Sequence, residues 1–286
     1  MDEVEVVVAH AERATLRVGG VFVKVDADQA RIDVEVEAMS LAPVPTPQVL
    51  WRKPHVLAIA ALPGTTLGRL GGPSTGSPAA WAAAGAAIRT LHDAPLPPWP
   101  GRAGRSADAL AAELADECDV LVTSGVLPAD LVTRNREVAE AVFRPWTPAF
   151  THGDLQVAHV FVEGEEVTGV LDWSEAGQGD ALYDLATFTL GHEERLDDVL
   201  AGYGADVDLD VVHGWWAVRS LLAVRWLTEH GFDPSAPGCE IDVLRSTCRG
   251  RGGGAPPARP PRGRPGAPAS SSPGPCAPGR RRTTST

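Results

Sequence analysis

The sequence predicts an α+β fold of two lobes, in which a small antiparallel sheet with one helix precedes a larger, mainly helical unit. Short β-rich runs separated by turn-capable residues fill most of the first 63 residues. Alanine- and leucine-rich segments with helix-capping residues then extend to about residue 248. A chain of 286 residues is long enough for both units, since domains commonly hold about 100 to 150 residues.

The first unit is expected to hold five strands and one helix. Three β-rich runs, VEVVVAH, ATLRV and VFVKV, lie within residues 4–25 and predict an antiparallel meander. Asp28 is placed to cap a helix over residues 28–41. Two further β-rich runs follow, VLW at 49–51 and HVLAIAAL at 55–62. The predicted order is therefore β-β-β-α-β-β.

The second unit is expected to be mainly α-helical, with one hairpin. Ser77-Pro78 is a helix start, because serine caps well and proline fits the first helical position. The predicted helices span residues 77–92, 106–122, 129–143, 181–190, 193–203 and 208–230, and the hairpin spans 159–173.

The composition changes abruptly after Cys248. The remaining residues are rich in Pro, Gly and Arg and have no apolar periodicity, which predicts a disordered tail. The tail is either a basic segment that binds a polyanion or, as we favour, the translation of GC-rich codons read out of frame. The sequence thus divides into residues 1–63, 64–248 and 249–286.

The charge and composition limit the classes of molecule that the protein is expected to bind. The net charge is −12, although eight arginines lie between Arg249 and Arg282, in a segment without acids, so the body is more acidic still. Such a surface argues against nucleic acid and for a cationic small molecule, unless it serves solubility alone. The sequence has no run of 18 apolar residues and no basic leader, so neither membrane insertion nor secretion is expected. Four scattered cysteines fit a reducing cytoplasm.

Two aspartates carry the sharpest functional signal. Asp154 lies in the turn THGDL, and Asp172 follows 18 residues later in VLDW, at the end of a predicted strand. Such a pair suits a centre where one carboxylate takes a hydroxyl proton and the other holds a metal. Either aspartate alone would more often be a cap or turn residue.

Residues 151–190 resemble the catalytic segment of the aminoglycoside phosphotransferase and choline kinase-like family. The shared motifs are H-G-D-L at 152–155, D-W at 172–173 and G-D-x-x-x-D-L-A at 179–186. The resemblance extends over about residues 14–247 and implies a protein kinase-like bilobal fold. It also implies ATP-dependent phosphoryl transfer to a hydroxyl of a small molecule, with nucleotide bound by the first lobe and the acceptor by the second.

The resemblance implies a role for each residue of the motif. Asp154 would orient the acceptor hydroxyl and take its proton, and Asp172 would hold Mg²⁺ at the ATP phosphates. Asp184 would brace the catalytic turn from the following helix, and His152 would brace it rather than react.

Lys24 and Glu35 are a candidate pair in the first lobe. Strand alternation in VFVKV places Lys24 on one face with Phe22, and Glu35 falls within the apolar stripe of the predicted helix. A carboxylate on an inward face needs a partner, and Lys24 is the natural one. The resemblance implies the same pair, with Lys24 on the α and β phosphates of ATP.

His159 stands where the family usually has an asparagine metal ligand. Imidazole is a poorer ligand for Mg²⁺ than an oxygen donor. The site is therefore expected to hold Mg²⁺ through Asp172 and water, to prefer Mn²⁺, or to belong to a weakened kinase that only binds nucleotide.

Two further questions stay open at this level. An alternative hypothesis is a zinc hydrolase with a metal site built from His152, Asp154 and His159, although the spacing of these residues is not a strong ligand signature. The acceptor pocket is expected along residues 208–230, with acids such as Glu229 facing the cleft. The sequence decides neither the acceptor's identity nor the oligomeric state.

Overall fold

The computed structural model describes residues 4–9, 12–101 and 106–247. These residues confirm the predicted two-lobed α+β fold, with a five-stranded antiparallel sheet and one helix in the first lobe and a helical second lobe. The expected disordered tail, 249–286, lies outside the described residues, and the lobe boundary at 63/64 stays a prediction.

The elements follow in chain order. The strands are β1 (Val4–Ala9), β2 (Arg13–Val18), β3 (Val21–Asp26), β4 (Val49–Lys53), β5 (Val56–Ala60), β6 (Thr65–Thr66), β7 (Pro148–Thr151), β8 (Val160–Glu163), β9 (Glu166–Val170) and β10 (Gly177–Asp180). The helices are α1 (Gln29–Leu41), α2 (Pro78–His92), α3 (Ala107–Thr123), α4 (Ala129–Ala139), α5 (Ala181–Thr189), α6 (Leu196–Tyr203), α7 (Leu209–Glu229) and α8 (Glu240–Thr247).

The first-lobe sheet has the strand order β1-β2-β3-β5-β4, with every pair antiparallel. In β3 the side chains alternate as predicted, so that Lys24 and Asp26 are buried while Val25 is exposed. The register places Lys24 opposite Thr15 of β2 and Leu57 of β5. Strand alternation thus turns Lys24 away from solvent.

Helix α1 begins where its capping residue predicts. The side chain of Asp28 accepts a hydrogen bond from the backbone N–H of Ala30 at 2.9 Å. The buried face of the helix carries Ile32 and Met39, with Glu35 between them. The only carboxylate on that face is therefore held inside the lobe.

The second lobe is held together by the packing of α2 against α6 and of α7 against several helices. Helices α2 and α6 approach so closely that a Cβ on Gly85 would lie 2.1 Å from the carbonyl oxygen of Val199, and one on Gly202 would lie 1.7 Å from that of Ala82. Helix α7 is the central helix of the lobe and packs against α3, α4, α5 and α8. None of the helices in the described part of the chain is long and apolar enough to span a membrane.

Four elements were not predicted. Strand β6 has two residues, β10 has the sequence GQGD, and β7 begins with proline, so none shows a β-rich alternation. Helix α8, a short element of eight residues, completes the group. The pairing of β7 with β10 matters most, since it sets Thr151 opposite Gly177 at the start of the THGDL turn.

Candidate active site

The turn after β7 requires glycine at position 153. Gly153 has φ +81°, in the left-handed region, and a Cβ there would lie 2.1 Å from the carbonyl oxygen of Glu175. Both the backbone conformation and the close approach exclude a larger residue. The next residue, Asp154, therefore leaves a tightly fixed turn.

Asp184 of α5 holds this turn from inside the lobe. Its carboxylate is fully buried and accepts the backbone N–H groups of His152 at 2.7 Å and Gly153 at 3.0 Å. One oxygen of Asp184 also lies 3.2 Å from Nε2 of His92, whose Nδ1 lies 3.0 Å from the hydroxyl of Tyr203. The turn is thus connected to α2 and α6.

His152 contacts the chain through both ring nitrogens. Nε2 lies 2.8 Å from the carbonyl oxygen of Leu171, and Nδ1 accepts the backbone N–H of Asp154 at 3.3 Å. Burial lowers the pKa of His152, and the neighbouring His159 lowers it further, so the ring is neutral at pH 7. No ring nitrogen is left for a metal or a proton transfer.

The carboxylate of Asp154 has two partners that the sequence did not reveal. Nε2 of Gln156 donates to both of its oxygens, at 3.1 and 3.0 Å. Nη2 of Arg219, on α7, lies 3.6 Å from Oδ1, while Nη1 of Arg219 pairs with Glu240 at 3.1 Å. Asp154 stays about a third exposed, at 32%, and so remains open to an acceptor.

Lys24 joins the two lobes at the centre of the site. Its Nζ atom contacts both oxygens of Glu35, one at 2.7 Å, and lies 2.8 Å from Oδ1 of Asp172. Burial would lower the pKa of Lys24, but the carboxylates of Asp172 and Glu35 outweigh it and raise the pKa. A fully charged ammonium therefore lies against the aspartate that follows β9.

Asp172 has φ +63°, an uncommon backbone conformation for a residue other than glycine. Such a conformation costs about 1–3 kcal/mol and is found most often at functional sites. Burial would raise the pKa of Asp172, but the positive charges of Lys24 and Arg13 hold it well below its usual range. Asp172 is therefore a carboxylate at any physiological pH.

Arg13 of β2 is a fourth charged residue at this point, which sequence reasoning missed. Its Nε donates to Asp26 at 3.0 Å, its Nη2 donates to the hydroxyl of Ser174 at 2.8 Å, and its Nη1 lies 3.7 Å from Oδ2 of Asp172. The register that pairs Arg13 with Asp26 puts it on the same sheet face as Lys24. Strand alternation extended from β3 to β2 would have found it.

His159 lies between the two aspartates. Its Nδ1 lies 2.9 Å from the carbonyl oxygen of Asp154 and therefore carries the proton in the neutral ring. Its Nε2, 4.0 Å from Oδ2 of Asp172, then presents a lone pair toward that carboxylate. The imidazole ring is thus close to both Asp154 and Asp172.

These donors suit a divalent cation that is bound together with a nucleotide. Among the described residues, no group of three or more His, Cys, Asp and Glu side chains is arranged to hold a metal. Asp172 and Nε2 of His159 could supply two ligands, and Mg²⁺ in nucleotide sites is bound through one or two carboxylates, phosphates and water. A catalytic zinc site, by contrast, has three protein ligands.

The region around α7 next to Asp154 differs in part from the expectation. Glu229 pairs with Arg225 at 3.1 Å, and Arg225 pairs with Glu117 of α3 at 2.7 Å, so Glu229 is not on the Arg219 face of the helix. Trp215 and Trp216 belong to the core. Trp226 lies seven residues after Arg219, two helical turns further on, and its ring stacks with those of His230 and Phe232.

The sequence and the fold were compared with those of known proteins. Residues 23–217 match the sequence pattern described as "Phosphotransferase enzyme family". No protein of curated function matches the sequence.

Three similar solved structures share the fold over most of their length. A choline/ethanolamine kinase family protein from Mesorhizobium loti is 20% identical, with a TM-score of 0.57 over 87% of this chain and 85% of that one. The GDP and kanamycin complex of an aminoglycoside phosphotransferase is 17% identical, with a TM-score of 0.65 over 87% and 94%. A macrolide 2′-phosphotransferase from Brachybacterium faecium is 20% identical, with a TM-score of 0.57 over 90% and 93%.

Proposed function

Because this chain belongs to the phosphotransferase enzyme family and is a small-molecule kinase, we propose that it transfers the γ-phosphoryl group of ATP to a hydroxyl of a small cationic molecule, such as an amino sugar or amino alcohol. The observation that carries the proposal is the position of Lys24, which contacts Glu35 within one lobe and Asp172 of the other. A lysine held in this way presents its charge where Asp172 would hold the nucleotide's metal.

Each residue of the site then has a role. Lys24 binds the α and β phosphates, Glu35 fixes Lys24, and Asp172 with His159 holds Mg²⁺ or Mn²⁺. The bound metal nucleotide supplies the phosphoryl group and neutralises part of its charge. Asp184 and His152 fix the turn, so that the position of Asp154 does not depend on the acceptor.

Asp154 would act on the acceptor hydroxyl. Its side chain is accessible, and the two Gln156 hydrogen bonds fix the orientation of the carboxylate while each oxygen keeps a lone pair. The acceptor hydroxyl would donate its proton to Asp154 as its oxygen bonds to the γ phosphorus, while the bond from that phosphorus to the bridging oxygen of ATP breaks and ADP leaves. Positioning and charge neutralisation supply most of the catalysis in such a reaction.

The acceptor would lie along the α7 face that carries Arg219 and Trp226. Trp226 is 44% exposed and stacked with two other rings, which suits contact with a sugar or other ring of the acceptor. The acidic balance of the chain favours a cationic acceptor, and the compounds named with several structural relatives carry amines. A cytoplasmic site of action, where ATP is available, completes the proposal.

A second candidate is a nucleotide-binding protein that does not turn over. The observation that favours it is His159, since an imidazole replaces an oxygen ligand at the metal site. In that case nucleotide would bind through Lys24 and Asp172 without phosphoryl transfer.

One experiment separates these candidates. ATP consumption is measured with Mg²⁺ or Mn²⁺ against a panel of amino-bearing and neutral polyols, and the phosphorylated product is identified by ³¹P NMR. The proposal predicts turnover with at least one amino-bearing alcohol, abolished in Asp172→Ala and reduced about 10²- to 10⁴-fold in Asp154→Asn. Asp116→Asn, an exposed carboxylate of α3, is the matched control and keeps full activity.

The result against the proposal is equally specific. ATP consumption equal in the wild type and Asp154→Asn with every acceptor, while both proteins bind ATP, would leave the nucleotide-binding candidate.

A further inference from the structure

Arg13 is one of two cations of the small sheet that flank Asp172. Lys24 lies at Oδ1 of this carboxylate, and Nη1 of Arg13 lies 3.7 Å from Oδ2. Lys24 belongs to β3 and Arg13 to the neighbouring β2. Asp172 thus attracts two positive charges from the sheet, each of which also has a carboxylate partner in its own lobe.

The guanidinium of Arg13 is held in place from behind. Its Nε donates to Oδ2 of Asp26, a residue only 2% exposed. The other oxygen of Asp26 accepts the backbone N–H of Asp28 at 2.8 Å, which fixes the carboxylate itself. Because Nε is the atom bound to Asp26, the two terminal nitrogens of Arg13 are left to contact other groups.

Those terminal nitrogens have donors to spare. Of the five N–H groups of an arginine, the Nε–H goes to Asp26 and one on Nη2 goes to Ser174. Among the residues that the structure describes, Nη1 has only the 3.7 Å ionic contact with Asp172, which is too long for a hydrogen bond. A planar, anchored guanidinium with free parallel donors suits bidentate binding of a phosphate.

We propose that Arg13 is a second phosphate-binding residue, which contacts the terminal phosphates of the nucleotide while Lys24 contacts the inner ones. The inference rests on the proposed function. Arg13 keeps Asp26 and Lys24 keeps Glu35, but both lose most of the attraction of Asp172 once it binds a divalent metal. The phosphate oxygens of the nucleotide then take the place of that carboxylate.

The position of Arg13 relative to Asp172 indicates that Arg13 contacts the terminal phosphates. Nη1 approaches Oδ2, the same oxygen that faces Nε2 of His159 at 4.0 Å. This is the side of the carboxylate where the metal ligands converge, and in phosphoryl-transfer sites the metal bridges the β and γ phosphates. Residues 10–12, between β1 and β2, contain no glycine that would favour a phosphate-binding backbone loop.

Nucleotide binding tests the inference without any acceptor. Isothermal titration calorimetry with Mg²⁺ gives the dissociation constants of ATP, ADP and adenosine for the wild type, Arg13→Ala and Arg13→Lys. Arg52→Ala is the matched control, because Arg52 lies on β4 of the same sheet, is exposed and, within the described part of the chain, pairs only with Asp33, at 3.7 Å.

The inference predicts a graded loss that depends on the phosphates. Arg13→Ala weakens ATP binding about tenfold or more and changes adenosine binding less than twofold, since a charge-assisted contact is lost only with the phosphates. Arg13→Lys falls between the wild type and Arg13→Ala, because lysine keeps the charge but not the planar donor pair. Arg52→Ala binds all three ligands as the wild type does.

Other results would overturn the inference, and they differ from a failure of the proposed function. Wild-type affinity for ATP in Arg13→Ala, or an equal loss for ATP and adenosine, would leave Arg13 a structural residue while the kinase proposal stands. No ATP binding by the wild type would reject both. Should Arg13→Ala not fold, as seen by circular dichroism, Arg13→Lys against Arg52→Lys decides by the same comparison of ATP with adenosine.

Discussion

The ammonium of Lys24 lies 2.8 Å from the carboxylate of Asp172, although 148 positions separate the two residues in the chain. The contact joins a strand of the small sheet to the residue that follows β9 in the large lobe. Lys24 also contacts Glu35, which is only 1% exposed, so its charge is divided between two carboxylates. A change at Lys24 therefore affects the stability of one lobe and the ligand site of the other.

Lys24→Met is expected to lower the free energy of unfolding by about 3–5 kcal/mol, because Glu35 is then left buried without a counter-charge. The double variant Lys24→Met/Glu35→Met is expected to recover most of this loss, since no charge is left unpaired in the lobe. Urea unfolding of the wild type, both single variants and the double variant gives the coupling. Additive effects of the two substitutions would contradict the buried pair.

His159→Asn is expected to shift the metal preference of the site toward Mg²⁺. An amide oxygen is a harder ligand than imidazole, so the affinity for Mn²⁺ should fall about tenfold while Mg²⁺ binding is kept or improved. Electron paramagnetic resonance of Mn²⁺ in the presence of ATP measures the affinity directly. His213→Asn is the control, because the His213 ring lies tilted against that of Trp216 on the same helix, with 4.8 Å between the ring centroids. An equal change in both variants would exclude His159 as a ligand.

Gly153→Ala is expected to abolish activity and to destabilise the fold by more than 1 kcal/mol. Gly164 also has positive φ, +65°, but a Cβ there meets nothing within 4 Å, whereas at Gly153 it would meet the Glu175 carbonyl at 2.1 Å. The difference between Gly153→Ala and Gly164→Ala in thermal unfolding and turnover therefore isolates the close approach. Similar effects of the two substitutions would mean that backbone conformation alone matters.

Stability should fall as pH drops below 6.5, in part because of His152. Its pKa is lowered in the folded protein, mainly by burial, so below pH 6.5 the unfolded chain binds a proton that the folded protein does not. Each such proton lowers the free energy of unfolding by about 1.4 kcal/mol per pH unit, down to the folded pKa. The pH slope of unfolding between 7.5 and 5.5 should be smaller in His152→Gln than in the wild type; equal slopes would contradict it.

Much of the fold follows from local sequence patterns. Asp28 and Ser77 cap α1 and α2 through side-chain hydrogen bonds where the sequence predicts helix starts. Alternation in β3 and the stripe of α1 predict which faces carry Lys24 and Glu35. Strands β7 and β10 escaped prediction because each has only four residues, β7 begins with proline and β10 contains two glycines, so neither shows a β-rich alternation.

The site was predictable as far as its motifs extend along the chain. Arg13 and Arg219 reach Asp172 and Asp154 from a strand and a helix far away in sequence, and neither lies in a motif. The positive φ of Asp172 is likewise not determined by residue type, because aspartate only tolerates this conformation better than most residues do. Cross-strand register and helix packing determine these features, and both are properties of the folded protein.

The contacts of Asp184 have a consequence for motion. The amide hydrogens of His152 and Gly153 point into the interior of the large lobe, toward a carboxylate that is also linked through His92 to Tyr203. Hydrogen exchange at these two amides should therefore require opening of the whole lobe and proceed as slowly as in its core helices. Entry and exit of ligands would then depend on displacement of the small sheet, while the loop that bears Asp154 stays rigid.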